Sequence, residues 1–261
     1  MITVDFHEVG CGFLSPTAFS AVSWRAFRVL IYHGRLMLDM SSRHEPVFTY
    51  LFVTVCVLIF FGGFIMPWSF FHVLLSEYSL QPATFMSDQN FFSLFSYMFL
   101  HINLQHLLSN MIVLLSVGRA VESEVGGTKF GLVLVGSGMV SGYFHVLNNP
   151  ASTMPVIGAS GAVFGAIALL LLLMPFKFTS ALFIPLPGVL LGLGMIAVEV
   201  VSLVYTNDVN VAHDMHLYGF LVGGIGAFGL DYNKAMRGLV VSVLTLVALY
   251  FVFFYLEGYA V

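Results

Sequence analysis

The sequence predicts an all-α polytopic membrane protein, and three observations predict it. The chain is 59% hydrophobic and only 8% charged, with a mean hydropathy of +0.97, far from the composition of water-soluble domains. Apolar stretches close to the ~20 residues needed to cross a bilayer recur along it. All nine Lys and Arg residues fall on one side of the bundle those stretches would form. A net charge of −4 and a pI near 6.1 give no nucleic-acid signal. Two cysteines, Cys11 and Cys56, support neither a disulfide framework nor a Cys-rich zinc site.

Residues 1–45 are mixed and weakly patterned. The stretch from Phe27 to Met37 could form a short interfacial helix, and Met37 or Met40 could equally be the true start. No cleavable signal pattern opens the sequence, so the first hydrophobic segment is expected to insert as an anchor. Seven spans are expected, at roughly 48–66, 103–121, 129–147, 160–176, 184–205, 213–230 and 239–256. The fourth is short, which would set its head, Ser160, below the membrane surface. Gly, Ser and His inside several spans are tolerable where they face protein or a water-filled cavity. The 67–100 connection is rich in Phe, contains Trp68, and is expected in the outer interface.

The charges set the orientation. Arg25, Arg28, Arg35 and Arg43 precede the first span, Arg119 and Lys129 flank the second connection, Lys177 lies between spans four and five, and Lys234 and Arg237 lie between six and seven. The opposite side holds Glu77, Asp88, Asp208, Asp214 and Glu257 and no basic residue. A cytoplasmic N-terminus satisfies the positive-inside rule completely. The heads of spans two, four and six then share the outer face, bringing His106, Ser160 and His216 into the membrane from one side.

Ser160, in Gly158-Ala159-Ser160-Gly161, and His216 each open an apolar helix, and buried polar groups in a bilayer are costly and usually functional. If the two heads meet, they form a nucleophile and its base. His106 and Asn110 are four apart on one helical face; both can donate hydrogen bonds, so they suit either a developing oxyanion or interhelical glue. Gly161 and Gly165, and Gly219 and Gly223, form two GxxxG pairs, each following a reactive residue and permitting close helix approach.

These motifs, in this order, resemble the rhomboid family of intramembrane serine proteases. The resemblance rests on His106-xxx-Asn110, Gly158-Ala-Ser160-Gly161, His216-xx-Gly219-xxx-Gly223 and Gly118-Arg119-Ala-Val-Glu122, and covers roughly residues 46–235. It implies a six-helix rhomboid core plus a seventh C-terminal transmembrane helix, with 1–45 as an N-terminal cytoplasmic segment, 46–235 as the catalytic core and 236–261 as the seventh helix and tail. It also implies serine endopeptidase activity on single-span membrane proteins near small residues in helix-weak segments. Ser160 would be the nucleophile and His216 the base. The Ser160 N–H, His106 and Asn110 would hold the oxyanion, Gly158 would admit the substrate backbone, and Phe164 would pack on the catalytic imidazole. The 67–100 connection and span five would flank substrate entry.

Asp214, two residues before His216, falls on a different helical face, so a dyad is expected. His213 is expected to be largely solvated. A metal pair of His213 and His216 lacks further ligands in the sequence pattern, and no metal or other cofactor is expected. Glu199, an ionisable residue inside span five, is unassigned, and His145 is read as interfacial or structural. A catalytically inactive family member and a transporter are the competing readings. The expected setting is a prokaryotic plasma membrane, with lipid and single-span proteins as partners and the oligomeric state open.

Overall fold

The computed structural model describes residues 44–88, 90–181, 184–205 and 211–258. The expectations for residues 1–43, for Asp208 and for the side chains of Trp68 and Glu257 lie outside the described residues.

Helix α1 (Val47–Ile65) begins after Pro46 with no capping side chain of its own. Its first amides are satisfied from a distance. The fully buried Glu122 carboxylate accepts from Phe48 N at 2.8 Å, Thr49 N at 2.7 Å and Thr49 Oγ1 at 2.6 Å. An anion at a helix N-terminus both fills orphan donors and complements the dipole. Gly118 sits against Thr49 Oγ1, and Gly127 against Glu122 itself, so the Gly-Arg-xx-Glu stretch is a device that fastens α1 to the second span.

The 67–100 connection is helical, in short pieces: α2 (Trp68–Tyr78), α3 (Pro82–Asp88) and α4 (Ser93–Ser96), the last running into a 3₁₀ turn at Tyr97–Phe99. Prolines mark two of the starts, Pro67 before α2 and Pro82 opening α3, where a missing N–H costs nothing. Helix α5 (Leu104–Val125) is capped by Asn103, whose Oδ1 accepts from His106 N at 2.8 Å. A π turn at Leu114–Gly118 interrupts it, and Gly126, at φ +89°, ends it.

Then come α6 (Gly127–Asn148), α7 (Ser160–Leu173), a two-residue antiparallel pairing of β1 (Phe178–Thr179) with β2 (Leu186–Pro187), α8 (Gly188–Tyr205), α9 (His213–Leu230) and α10 (Tyr232–Gly258). Among the described residues, α5, α6, α8 and the Tyr232–Tyr255 part of α10 are long and apolar enough to cross a membrane. The apolar helix Val47–Gly63 and α7 are shorter, and α9, polar at its head, is not among them. These helices make the chain an integral membrane protein.

The core is built around α7. Every residue from Gly161 to Leu173 is buried, and the helix packs against α6, α8, α9 and α10. A helix apolar all round is one that neighbours enclose. The loop that delivers Ser160 to its head is held by main-chain bonds: Leu80 and Val156 exchange two, at 3.0 and 2.8 Å, Ala83 N donates to Ser152 O at 2.9 Å, and Gly158 N donates to Tyr97 O at 2.9 Å. Tyr97 is itself anchored, fully buried with its hydroxyl donating to Gly138 O at 2.7 Å.

Candidate active site

Ser160 and His216 reach one place because glycines remove the space between their helices. A Cβ on Gly219 would lie 2.0 Å from the Gly161 carbonyl oxygen, and one on Gly223 would lie 2.3 Å from that of Gly165. The α7 and α9 backbones are therefore in direct contact. On the far side of α7 the same two glycines face α6, with Ser141 Oγ and Ser137 Oγ each 2.3 Å from the Cβ they lack. Both GxxxG pairs thus act at one three-helix contact, α6–α7–α9.

At the top of that contact the His216 ring stacks on Phe164, with centroids 4.6 Å apart and planes 11° from parallel. Phe164 is one helical turn after Ser160, so the imidazole lies over the first turn of α7. No hydrogen bond joins Ser160 Oγ to His216 among the described residues; such contacts commonly tighten only when substrate binds.

His106 approaches from α5. Its ring lies where a Cβ on Gly158 would be, 2.6 Å from that position, and Gly158 adopts φ +118°. Only glycine meets both conditions. Asn110 is buried and spends one of its two N–H donors on His106 O at 3.0 Å. His101 is also buried, with both ring nitrogens unpartnered among the described residues, and its ring is 5.1 Å from that of His106. Burial, and then the neighbouring charge of a protonated His106, push His101 down to about 4, so it stays neutral at physiological pH.

The acid near His216 is Glu199. Its Oε2 lies 2.6 Å from His213 Nδ1, in a hydrogen bond, and 3.0 Å from His216 Nδ1, within ion-pair range but off the hydrogen-bond line. His213 is accordingly not solvated: its side chain is 14% exposed. Asp214 turns away to His145, whose Nδ1 is 2.8 Å from Asp214 Oδ2, with Asn149 Nδ2 donating to the same oxygen at 3.1 Å. That cluster ties the end of α6 to the head of α9 and gives His145 its place.

The sequence carried a signal for Glu199. Glu199 is six residues before Tyr205 at the end of α8, ~9 Å along the axis, and His216 is three residues into α9, ~4.5 Å. In neighbouring antiparallel helices those depths differ by about a Glu side chain's reach. Glu199, His213 and His216 also offer three ligand atoms within 4.8 Å of one another. Tetrahedral zinc, with bonds near 2.0–2.2 Å, would hold ligand atoms roughly 3.3 Å apart. The separations of 2.6 and 3.0 Å are both shorter than that, and the first is a hydrogen bond.

Comparison with known proteins gives the family of the chain. Residues 88–233, more than half of the chain, match the Rhomboid domain family model. Rhomboid protease GluP of Bacillus subtilis (strain 168) is 29% identical over 215 residues, 81% of this chain and 40% of that protein. RHOMBOID-like protein 12, mitochondrial, of Arabidopsis thaliana is 30% identical over 185 residues, 63% of this chain and 54% of that protein. Rhomboid-related protein 3 of Homo sapiens is 37% identical over 73 residues, 28% of this chain and 18% of that protein. The chain thus spans little more than half of these relatives' length at most. It belongs to the rhomboid family, and is similar to the named proteins.

Proposed function

We propose that the chain is an intramembrane serine endopeptidase that cleaves single-span transmembrane proteins. The observation that carries this reading is the His216 imidazole stacked on Phe164, one turn from Ser160, at a helix contact closed by Gly161 and Gly219. Ser160 Oγ attacks the scissile carbonyl while His216 takes its proton, forming the Oγ–C bond and an oxyanion. His216 then protonates the leaving amine as the C–N bond breaks, and water repeats the sequence to release the acyl group. The Ser160 N–H, His106 and Asn110 stabilise the oxyanion; the space expected at Gly158 for a substrate strand is taken by the His106 ring, so this glycine seats His106 instead. Helix-weak substrates fit this chemistry, because an intact helix hides its carbonyls in hydrogen bonds.

The reading extends to topology. Helix α7, with 14 residues, is ~21 Å long against a hydrocarbon core of ~30 Å. It cannot cross unaided, which recesses Ser160 and lets water reach it from one face. Residues 46–235 form the core, 236–261 add a seventh span, and the N-terminus is cytoplasmic, in a prokaryotic plasma membrane. Fluorophosphonate labelling of the purified protein, with cleavage of a reconstituted single-span substrate, tests the assignment. Wild type is expected to label and cleave, and Ser160→Ala to do neither while keeping its thermal midpoint. Wild-type-like turnover by Ser160→Ala would sink it.

A further inference from the structure

We propose that Glu199 is the positioning residue of the catalytic histidine, so that Ser160 and His216 work with a third member, a carboxylate supplied by α8. The inference rests on the protease reading and adds to it a residue that selects the tautomer of the base.

The chemistry of a serine nucleophile fixes what His216 must do. Its Nε2 must present a lone pair to Ser160, so the ring proton must sit on Nδ1. A buried Nδ1–H needs an acceptor, because an unmade hydrogen bond at a buried donor costs the full desolvation of that group. His216 is 12% exposed, and its Nδ1 is buried with no aligned hydrogen-bond partner among the described residues. The acceptor beside it is Glu199 Oε2, at 3.0 Å. A carboxylate oxygen has lone pairs for two donors, and the second is His213 Nδ1 at 2.6 Å. With both protons on Nδ1, His213 already donates to this oxygen, and a small rotation of the His216 ring would bring its Nδ1–H, 3.0 Å away, into line with it and leave Nε2 free.

The surroundings are those a buried carboxylate requires. Glu199 is 7% exposed in a mostly apolar helix, a placement that is costly unless the carboxylate is hydrogen-bonded or paired. His213 holds the carboxylate through its own hydrogen bond at 2.6 Å. Phe164 fixes the plane of His216, and Glu199 fixes its rotation within that plane. During the reaction His216 gains the Ser160 proton at Nε2 and becomes an imidazolium next to the Glu199 anion. That charge pair exists only after proton transfer, so it favours the transition state over the ground state. Glu199 stays ionised throughout, and the proton passes from Nε2 to the leaving amine. Nothing is oxidised or reduced.

The test uses the full-length protein in proteoliposomes with a single-span substrate, comparing wild type with Glu199→Gln, Glu199→Asp and His213→Ala. Turnover, KM, the second-order rate of fluorophosphonate labelling and the thermal midpoint are measured together. Glu199→Gln keeps the shape but presents an amide, which can hold the ring in the wrong tautomer. In a serine protease triad the equivalent acid-to-amide change costs about 10⁴ in kcat. A loss of 10²-fold or more in kcat is expected here, with labelling slowed in parallel and KM and thermal midpoint near wild type. Glu199→Asp should recover part of the loss, because it restores the charge. His213→Ala should fall between wild type and Glu199→Gln, since it loosens the carboxylate without removing it. Wild-type labelling and turnover in Glu199→Gln would overturn the proposal. So would a fall in thermal midpoint that accounts for the lost activity while labelling of the folded fraction is normal. Activity removed from wild type by EDTA and restored by Zn²⁺ would overturn it in favour of a metal centre on the same three residues. If wild type neither labels nor cleaves, the failure is that of the protease reading itself, and this inference falls with it.

Discussion

At Gly158 the backbone takes φ +118°, and the His106 ring fills the place where a side chain would begin. Replacing it with Ala imposes two penalties together: a left-handed conformation that L residues avoid, and a 2.6 Å contact that must displace His106. Gly158 N donates to Tyr97 O at 2.9 Å, so the loop cannot swing out to relieve the contact. Gly158→Ala is therefore expected to cost more in turnover than in thermal stability. If His106 is an oxyanion donor, its displacement should cost up to the ~10²–10³ in kcat typical of losing one such donor. A wild-type rate with a lowered thermal midpoint would return His106 to a packing role. At this scale the sequence was informative where a motif named the residue. It was weaker where a contact came from a neighbouring helix. Ser160, His216 and Gly158 are legible because each sits in a short local pattern. Glu199 belongs to no short motif; its signal is its depth in α8 matched against that of His216 in α9, which is readable only once the two helices are paired, and its partners are 14 or more residues away. For the same reason His213 looked solvated: position at a helix head says nothing about a carboxylate arriving from the next helix.

The three-helix contact α6–α7–α9 turns small residues into geometry. Gly219 and Gly223 meet backbone, not side chains, so no rotamer change can make room for an added methyl group. Gly219→Ala must push α9 from α7 and carry His216 off Phe164. Overpacking alone costs typically ~1–3 kcal/mol, and a backbone obstacle places this case at the upper end. The matched control is Gly224, one residue after Gly223 on the same helix, whose Cβ would meet only Leu172 Cδ1 at 3.7 Å. Gly224→Ala should keep activity and thermal midpoint, while Gly219→Ala and Gly223→Ala lower both. Equal behaviour of the three would refute the packing argument. The GxxxG spacing showed that close approach was possible. It could not say which helices approach, nor that Ser137 and Ser141 of α6 occupy the other face of the same glycines. Glu122 is a parallel case: the motif was visible, but its partner amides lie more than 70 residues away, at the start of α1. Most helix boundaries were legible from apolar runs, though α10 begins at Tyr232, seven residues before the expected 239, because its first turns carry Asn233, Lys234 and Arg237. The short helices of 67–100 were not legible, because their apolar content is broken by Ser, Pro and Asn at no regular period.

Across the whole molecule, contacts sort into two ends in the way the charges sort. At one end Lys234 Nζ is 2.8 Å from Glu124 Oε1, joining the end of α5 to the start of α10, and Ser180 N donates to Ser116 Oγ at 3.0 Å. At the other, Asp214 meets His145 and Asn149, and Leu80 pairs with Val156. The first end carries Lys177, Lys234 and Arg237, and the second is the end where Ser160 opens. A positive-inside arrangement then faces the mouth of the site away from the cytoplasm. The expectation is checked with single cysteines in a Cys11→Ser, Cys56→Ser background, using exposed and uncharged positions so that the charge bias is left intact. Thr153→Cys lies in the loop that leads to Ser160, and Ser180→Cys in the connection that follows α7. A membrane-impermeant maleimide applied to intact cells should label Thr153→Cys, and Ser180→Cys only after the membrane is opened. The reverse pattern would invert the molecule, placing Ser160 at the cytoplasmic face and substrates' cytoplasmic ends within its reach. Labelling of both in intact cells would mean that α7 does not separate two compartments, and the recessed-serine geometry would have to be abandoned.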